Sequence, residues 1–186
     1  MHGLTDQIPK TIYVNQEQSP KPAPKGDLTQ GAIDRAFANQ QRRSAYILEY
    51  EQQRIVLLSG KSTGNLGVVK VVGPLKEQLD VTSIERTLID IAVRPIYAGG
   101  VFQVLAAYKS AKGLVSINAL IATLKKLDYV YPYHQVIGFY MQRAGFEERR
   151  YSRLKKLGLT FDFYLTYGMK ESEFDPDWRL HYPKGL

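Results

Sequence analysis

Gly60-Lys61-Ser62 follows an apolar run, and a glycine turn with a lysine after a strand is how backbone amides and an ammonium group cradle phosphate. The first glycine of that pattern would stand five residues before Gly60, where Ile55 is, and the turn Gly64-Asn65-Leu66-Gly67 leads to another strand, not a helix. The glycines are therefore read as turn residues with positive φ, and nucleotide binding is not expected. Glu85, Arg86 and Asp90 form the densest charged cluster of an otherwise apolar stretch. Two acids suit general acid–base work only if they converge, and five residues on a helix sets Glu85 and Asp90 about 140° apart. The expected roles are structural: Glu85 in a cap, Arg86 paired with Asp90 at i, i+4. His2, His134 and His181 are scattered and there is no cysteine, so thiolate chemistry is excluded and a histidine metal centre is not expected. His134 and His181 each stand beside tyrosine and read as hydrogen-bonded packing residues. In Arg143–Lys156, Arg149, Arg153 and Lys156 fall at i, i+4 and i+7 on one helix face, with Arg143, Arg150, Tyr151 and Lys155 nearby. That face either contacts phosphates or is simply solvated.

The charge follows the same division. The formal net charge is +7; residues 1–93 carry 11 basic and 10 acidic side chains, whereas 94–156 carry 11 and 3. A localised positive field attracts polyanions and also serves solubility. A length of 186 residues suits one domain spanning 1–186 with a real core, and no apolar run approaches the roughly 18 residues of a membrane span. A cytoplasmic protein with no membrane partner is expected; the oligomeric state is left open, with a monomer favoured.

The elements that must position these residues are legible as periodicity. Thr11–Val14 reads as a strand and residues 16–26, with three prolines, as a surface loop. A helix is predicted from Asp27 through Phe37, then a hairpin of Ser44–Glu49 and Arg54–Ser59, and a strand over Gly67–Val72 broken by Gly73-Pro74. Thr82 with Glu85 reads as a capping box for a helix over 83–93, which stops at Arg94-Pro95. Four further helices follow: one after Gly99-Gly100 and ending at Gly113, one capped by Ser116, one over 133–144, and one over 147–157. Leu159–Thr166 reads as a strand and Trp178–Leu180 as a last edge strand. The predicted fold class is α+β: a small mixed or antiparallel sheet from the N-terminal half plus a C-terminal strand, packed with about five helices over roughly 82–158.

Taken as a set, these residues resemble a known family. Val81–Tyr108 is similar to the segment V-T-x-x-E-R-T-L-x-D followed by R-P-x-x-x-G-G of the AbiEi antitoxin family, which falls here on Val81, Thr82, Glu85, Arg86, Thr87, Leu88 and Asp90, then Arg94, Pro95, Gly99 and Gly100. Val136–Phe146 is similar to the family's R-L-G-Y-L-L-E-x-x-G segment, with Val136 in place of its usual arginine, and HGLTDQIPKTIYV resembles the start of its C-terminal domain. The resemblance implies a non-catalytic regulator of a phage-defence type IV toxin–antitoxin system, without cofactor or metal. Such a regulator counteracts a nucleotidyltransferase-like toxin without a stable complex and supports autoregulation of its operon. It also implies an upstream winged-helix domain, absent from this chain, which puts operator-specific DNA reading in doubt here. Candidate nucleic-acid contacts are Arg143, Arg149, Arg150, Arg153 and Lys156, to the DNA backbone. The alternatives are a nuclease-like enzyme of a defence locus, which needs an acid cluster the sequence does not show, and an auxiliary nonspecific DNA-binding domain.

Overall fold

A computed structural model describes residues 2–4, 10–22 and 26–186. The protein is α+β, with six α-helices and three separate small sheets among the described residues. In the first sheet β1 (Thr11–Glu17) pairs in parallel with β3 (Gln53–Gly60), and β2 (Ile47–Tyr50) pairs with β3 as an antiparallel hairpin closed by Glu51-Gln52. The strand predicted over Thr11–Val14 runs three residues further, because Gln16 and Glu17 still pair with Ser59 and Gly60; the proline-rich loop begins after them, and residues 23–25 of it lie outside the described residues. Between β1 and β2 lies α1 (Gln30–Ala38), whose N-cap Thr29 accepts from the Ala32 N–H at 3.3 Å and which buries Ile33 and Phe37.

The second sheet is the hairpin of β4 (Val68–Val72) and β5 (Gln78–Thr82), with Lys70 and Asp80 paired across it at 3.1 Å. The third is ordered β6 (Phe163–Tyr164), β8 (Leu180–Pro183), β7 (Ser172–Asp175). This corrects the expectation of one sheet joined by a C-terminal strand. The strand expected over Leu159–Thr166 shrinks to two residues, because Gln30 of α1 takes both backbone groups of Asp162: its Oε1 accepts from the Asp162 N–H and its Nε2 donates to the Asp162 carbonyl. The last strand starts at Leu180 and is central, not at the edge; Trp178 precedes it in a turn and is fully buried.

The core is built by the helices α2 (Ile84–Val93), α3 (Val101–Ser110), α4 (Ile117–Leu127), α5 (Tyr133–Arg143) and α6 (Glu148–Lys155), joined by Ile33 and Phe37 of α1 and by Phe163, Trp178 and Leu180 in and beside the third sheet. α2 packs on α3, α4 and α5 through Leu88, Ile89 and Ala92. α5 is buried nearly all round, from Gln135 through Met141, as befits a central helix. Gly138 is its narrow point: a Cβ there would overlap the Trp178 ring. Gln135, buried on the same helix, donates through Nε2 to the carbonyls of Phe161 and Trp178 at 2.9 and 2.7 Å, locking the third sheet to α5.

The first sheet sits apart from this core. Its inner face carries Val56 and Tyr13, whose ring meets that of Tyr97 with centroids 5.1 Å apart. The register places Ile12, Val14, Leu48 and Leu57 together on the opposite face, with Tyr46 and Tyr50 beside them, and these six are 39% to 76% exposed. No helix among the described residues is long and apolar enough to cross a membrane.

Candidate functional site

The family-like segment folds into a joint between the sheets and the helical body. Arg86 is buried and donates through Nε to both carboxylate oxygens of Asp90 at 2.9 and 3.0 Å, and through one terminal nitrogen to the Leu66 carbonyl at 2.5 Å. The i, i+4 pairing expected from sequence is thus present, and the guanidinium also stitches the β3–β4 loop to α2. Its side chain passes over Gly67, at φ +76, where a Cβ would stand 2.9 Å from the Arg86 Cβ, so a side chain at 67 would push this crossing apart. Burial lifts the Asp90 carboxyl above the usual range, and the charge and hydrogen bonds of Arg86 pull it part of the way back.

The capping box is corrected. Thr82 is still in the β5 ladder, paired with Val68, so the helix begins one residue later with Ser83 as N-cap, its hydroxyl accepting from the Arg86 N–H at 3.3 Å. Glu85 consequently does not close a box with Thr82; it accepts from the Ser116 N–H at 2.9 Å, tying α2 to the start of α4. The hydroxyls of Thr82 and Thr87 lie 2.7 Å apart. Arg94 ends α2 and is exposed; Pro95 is buried at the head of a 3₁₀ turn (Pro95–Ala98), and Gly99 and Gly100, at φ +85 and +100, turn the chain into α3. The backbone at 99 and 100 is one that side-chain-bearing residues rarely adopt.

The loop after Gly60 proves to be an anion cradle already filled from within. The Glu17 carboxylate accepts from the backbone N–H groups of Thr63, Gly64 and Asn65 at 2.8, 2.9 and 3.2 Å and from the Thr63 hydroxyl. Those bonds, the Thr63 hydroxyl's foremost, hold the Glu17 carboxyl below its usual range although its partial burial pushes the other way. Lys61 donates to the carbonyls of Leu127 and Asp128 at 2.7 and 2.6 Å, at the C-terminus of α4, where a cation is favoured.

The structure divides the basic residues. Arg149, Arg153 and Lys156 are exposed on one side of α6. Arg149 pairs with Glu147 and Arg153 with the side chain of Asn118 on α4. Arg150 lies on another side, donating to the carbonyls of Lys112 and Val115 at 3.1 and 2.9 Å where α3 meets α4. Arg143 is apart from both, donating to the Leu186 carbonyl at 2.7 Å with its guanidinium over Phe139 and Tyr182. Among the described residues no group of three or more His, Asp or Glu is placed to hold a metal ion.

A further feature emerges only in the fold. Tyr129, Tyr131 and His134, around the α4–α5 connection, line two adjoining clefts of about 240 and 220 Å³. The signal was the density of tyrosine in YVYPYH, residues 129–134; its meaning depends on rings brought from elsewhere. His134 Nε2 lies 2.5 Å from the Gly158 carbonyl, and His181 stacks on Tyr164 with centroids 4.9 Å apart.

No protein-family model and no curated protein matches the chain. Among solved structures, it is similar to the crystal structure of the Rv2827c protein from Mycobacterium tuberculosis, with a TM-score of 0.56 and 16% identity over 97% of this chain and 58% of that one. At that identity the likeness is one of fold. The chain spans less than two thirds of the length of that neighbour.

Proposed function

We propose that the chain is a non-catalytic regulatory domain of an AbiEi-like antitoxin, acting against a nucleotidyltransferase-like toxin in the cytoplasm and supporting control of its operon. The observation that carries this reading is the use of the family-like segment. Arg86, Asp90, Glu85 and Thr82 are spent on joining α2 to the loop and to α4, while the exposed cations of α6 lie elsewhere, on an open helical surface. A segment so used preserves a shape for recognition. The test is to read the adjoining gene and co-express its product with this chain: a nucleotidyltransferase-like toxin whose growth arrest the chain relieves is expected, and the lack of such a gene, unrelieved toxicity, or turnover of nucleic acid or nucleoside triphosphate by the pure chain would sink the reading.

The exposure of Arg149, Arg153 and Lys156 favours a second role, sequence-independent contact with nucleic-acid backbone. Duplex affinity of about 10⁻⁴–10⁻⁶ M should fall with salt, by a log–log slope of about −0.9 per phosphate engaged, and Arg149→Ala with Arg153→Ala should flatten that slope. Identical titrations for both proteins would leave these cations as a solubility feature.

A further inference from the structure

The clefts beside α4 and α6 take up residues that neither the joint nor the α6 cations use. Tyr131 is wedged from behind, edge-on to Phe37 with centroids 5.3 Å apart, edge-on to Tyr133 at 6.2 Å and stacked on Phe163 at 6.1 Å. Tyr129 leans edge-on against Tyr133 at 5.3 Å. Both rings are only half buried and line the clefts, with His134 and Leu157 as shared walls; one face of Tyr129 carries the Lys61 ammonium, 5.6 Å from the ring centroid. The rings therefore need little ordering when something flat is laid on them.

The cations lead to this platform. Arg153 of α6 is bonded to Asn118 in the first turn of α4, whereas Leu157 just beyond α6 and Lys125 in the last turn of α4 line the same cleft. The row Arg149, Arg153, Lys156 thus climbs α6 toward the aromatic cleft, with steps of about 6 and 4.5 Å along the axis. Among the described residues Asp128 is the one acid of the lining, against Lys125 at the rim and the positive row beyond it; that balance disfavours a cationic occupant, and a wholly apolar one would leave the cations unused. A chain of phosphates ending in an exposed flat ring uses both.

We propose that the cleft of Tyr129, Tyr131 and His134 stacks an unpaired base of a single-stranded nucleic acid whose backbone runs along Arg149, Arg153 and Lys156. This rests on the reading of those cations as phosphate contacts. It adds a preference for single strands, since a base inside a duplex is already stacked and cannot enter.

The test compares a fluorescent twelve-nucleotide oligothymidylate with a duplex of equal length, by anisotropy at low salt. The proteins are the wild-type chain, Tyr131→Leu, the exposed rim variant Lys125→Glu, and Arg149→Ala with Arg153→Ala. The single strand should bind more tightly than the duplex. Tyr131→Leu should weaken it by about tenfold or more and leave the duplex unchanged; Lys125→Glu should weaken the single strand more than the duplex; the double arginine variant should weaken both. Equal wild-type affinity for the two nucleic acids, or single-strand binding untouched by Lys125→Glu and by a folded Tyr131→Leu, overturns the base site while arginine-dependent binding leaves the backbone reading standing. No binding by the wild type overturns both. Should Tyr131→Leu fail to fold, Lys125→Glu still decides.

Discussion

Gly138 illustrates how much a single position carries. A glycine inside a helix ordinarily costs about 1 kcal/mol against alanine, so an exposed one would be improved by substitution. Here the missing side chain is the seat of the Trp178 ring, and Trp178 is fully buried. Gly138→Ala is therefore expected to destabilise by about 1–3 kcal/mol, as overpacking does, and chemical denaturation monitored by the single tryptophan measures it; an unchanged midpoint would mean that the ring moves aside freely. Glu17 gives a prediction in pH. Its folded carboxyl titrates below its ordinary value of 4.5, so its contribution is present above that value and is lost as pH falls through the folded value. Amide exchange at Thr63–Asn65 should be slower in the wild type than in Glu17→Gln near neutrality, and the two should converge in acid. A difference that persists below both values would show that the carboxylate does not hold the loop.

Among elements, α2 is the one on which the rest leans. Leu88 is fully buried where α2 meets its neighbours, and Leu88→Ala is expected to cost about 2–5 kcal/mol; a melting temperature equal to wild type would remove α2 from that role. The helices were legible in the sequence because their determinants are local: the apolar stripe Ile117, Leu120, Ile121, Leu124, Leu127 behind Ser116, and the stops at Gly145 and Gly158, both with positive φ. The strand β1, the hairpin of β2 with β3 and the strand β4 were legible for the same reason, whereas the parallel pairing of β1 with β3 and the remaining strands were not, because pairing is decided at a distance. β5 (QLDVT) and β7 (SEFD) are too short and polar to show alternation, and the ends of β6 are set by a glutamine 132 residues away. The candidate site divides in the same way. Arg86 with Asp90 could be read from spacing, whereas the destination of Glu85, 31 residues on, and the rings behind Tyr131 could not.

At the scale of the whole molecule, two surfaces of opposite character face solvent. The cations of 94–156 give a long-range field that salt weakens, with a Debye length of about 10 Å at 0.1 M. The outer face of the first sheet instead offers side chains that water solvates poorly, more than an isolated exposed leucine does. At low ionic strength the net charge of +7 keeps copies of the chain apart, and the apolar face has little chance to act. Adding salt removes the repulsion without weakening the apolar attraction. The colloidal behaviour of the protein should therefore run opposite to the salt dependence proposed for nucleic-acid binding: light scattering should show interactions between molecules turning from repulsive to attractive as salt rises, and Leu48→Lys, which places an ammonium group in the middle of that face, should delay the turn. A scattering signal indifferent to Leu48→Lys would place the attraction on another surface. Purification would accordingly go best in dilute buffer, since added salt would bring the chains down on one another.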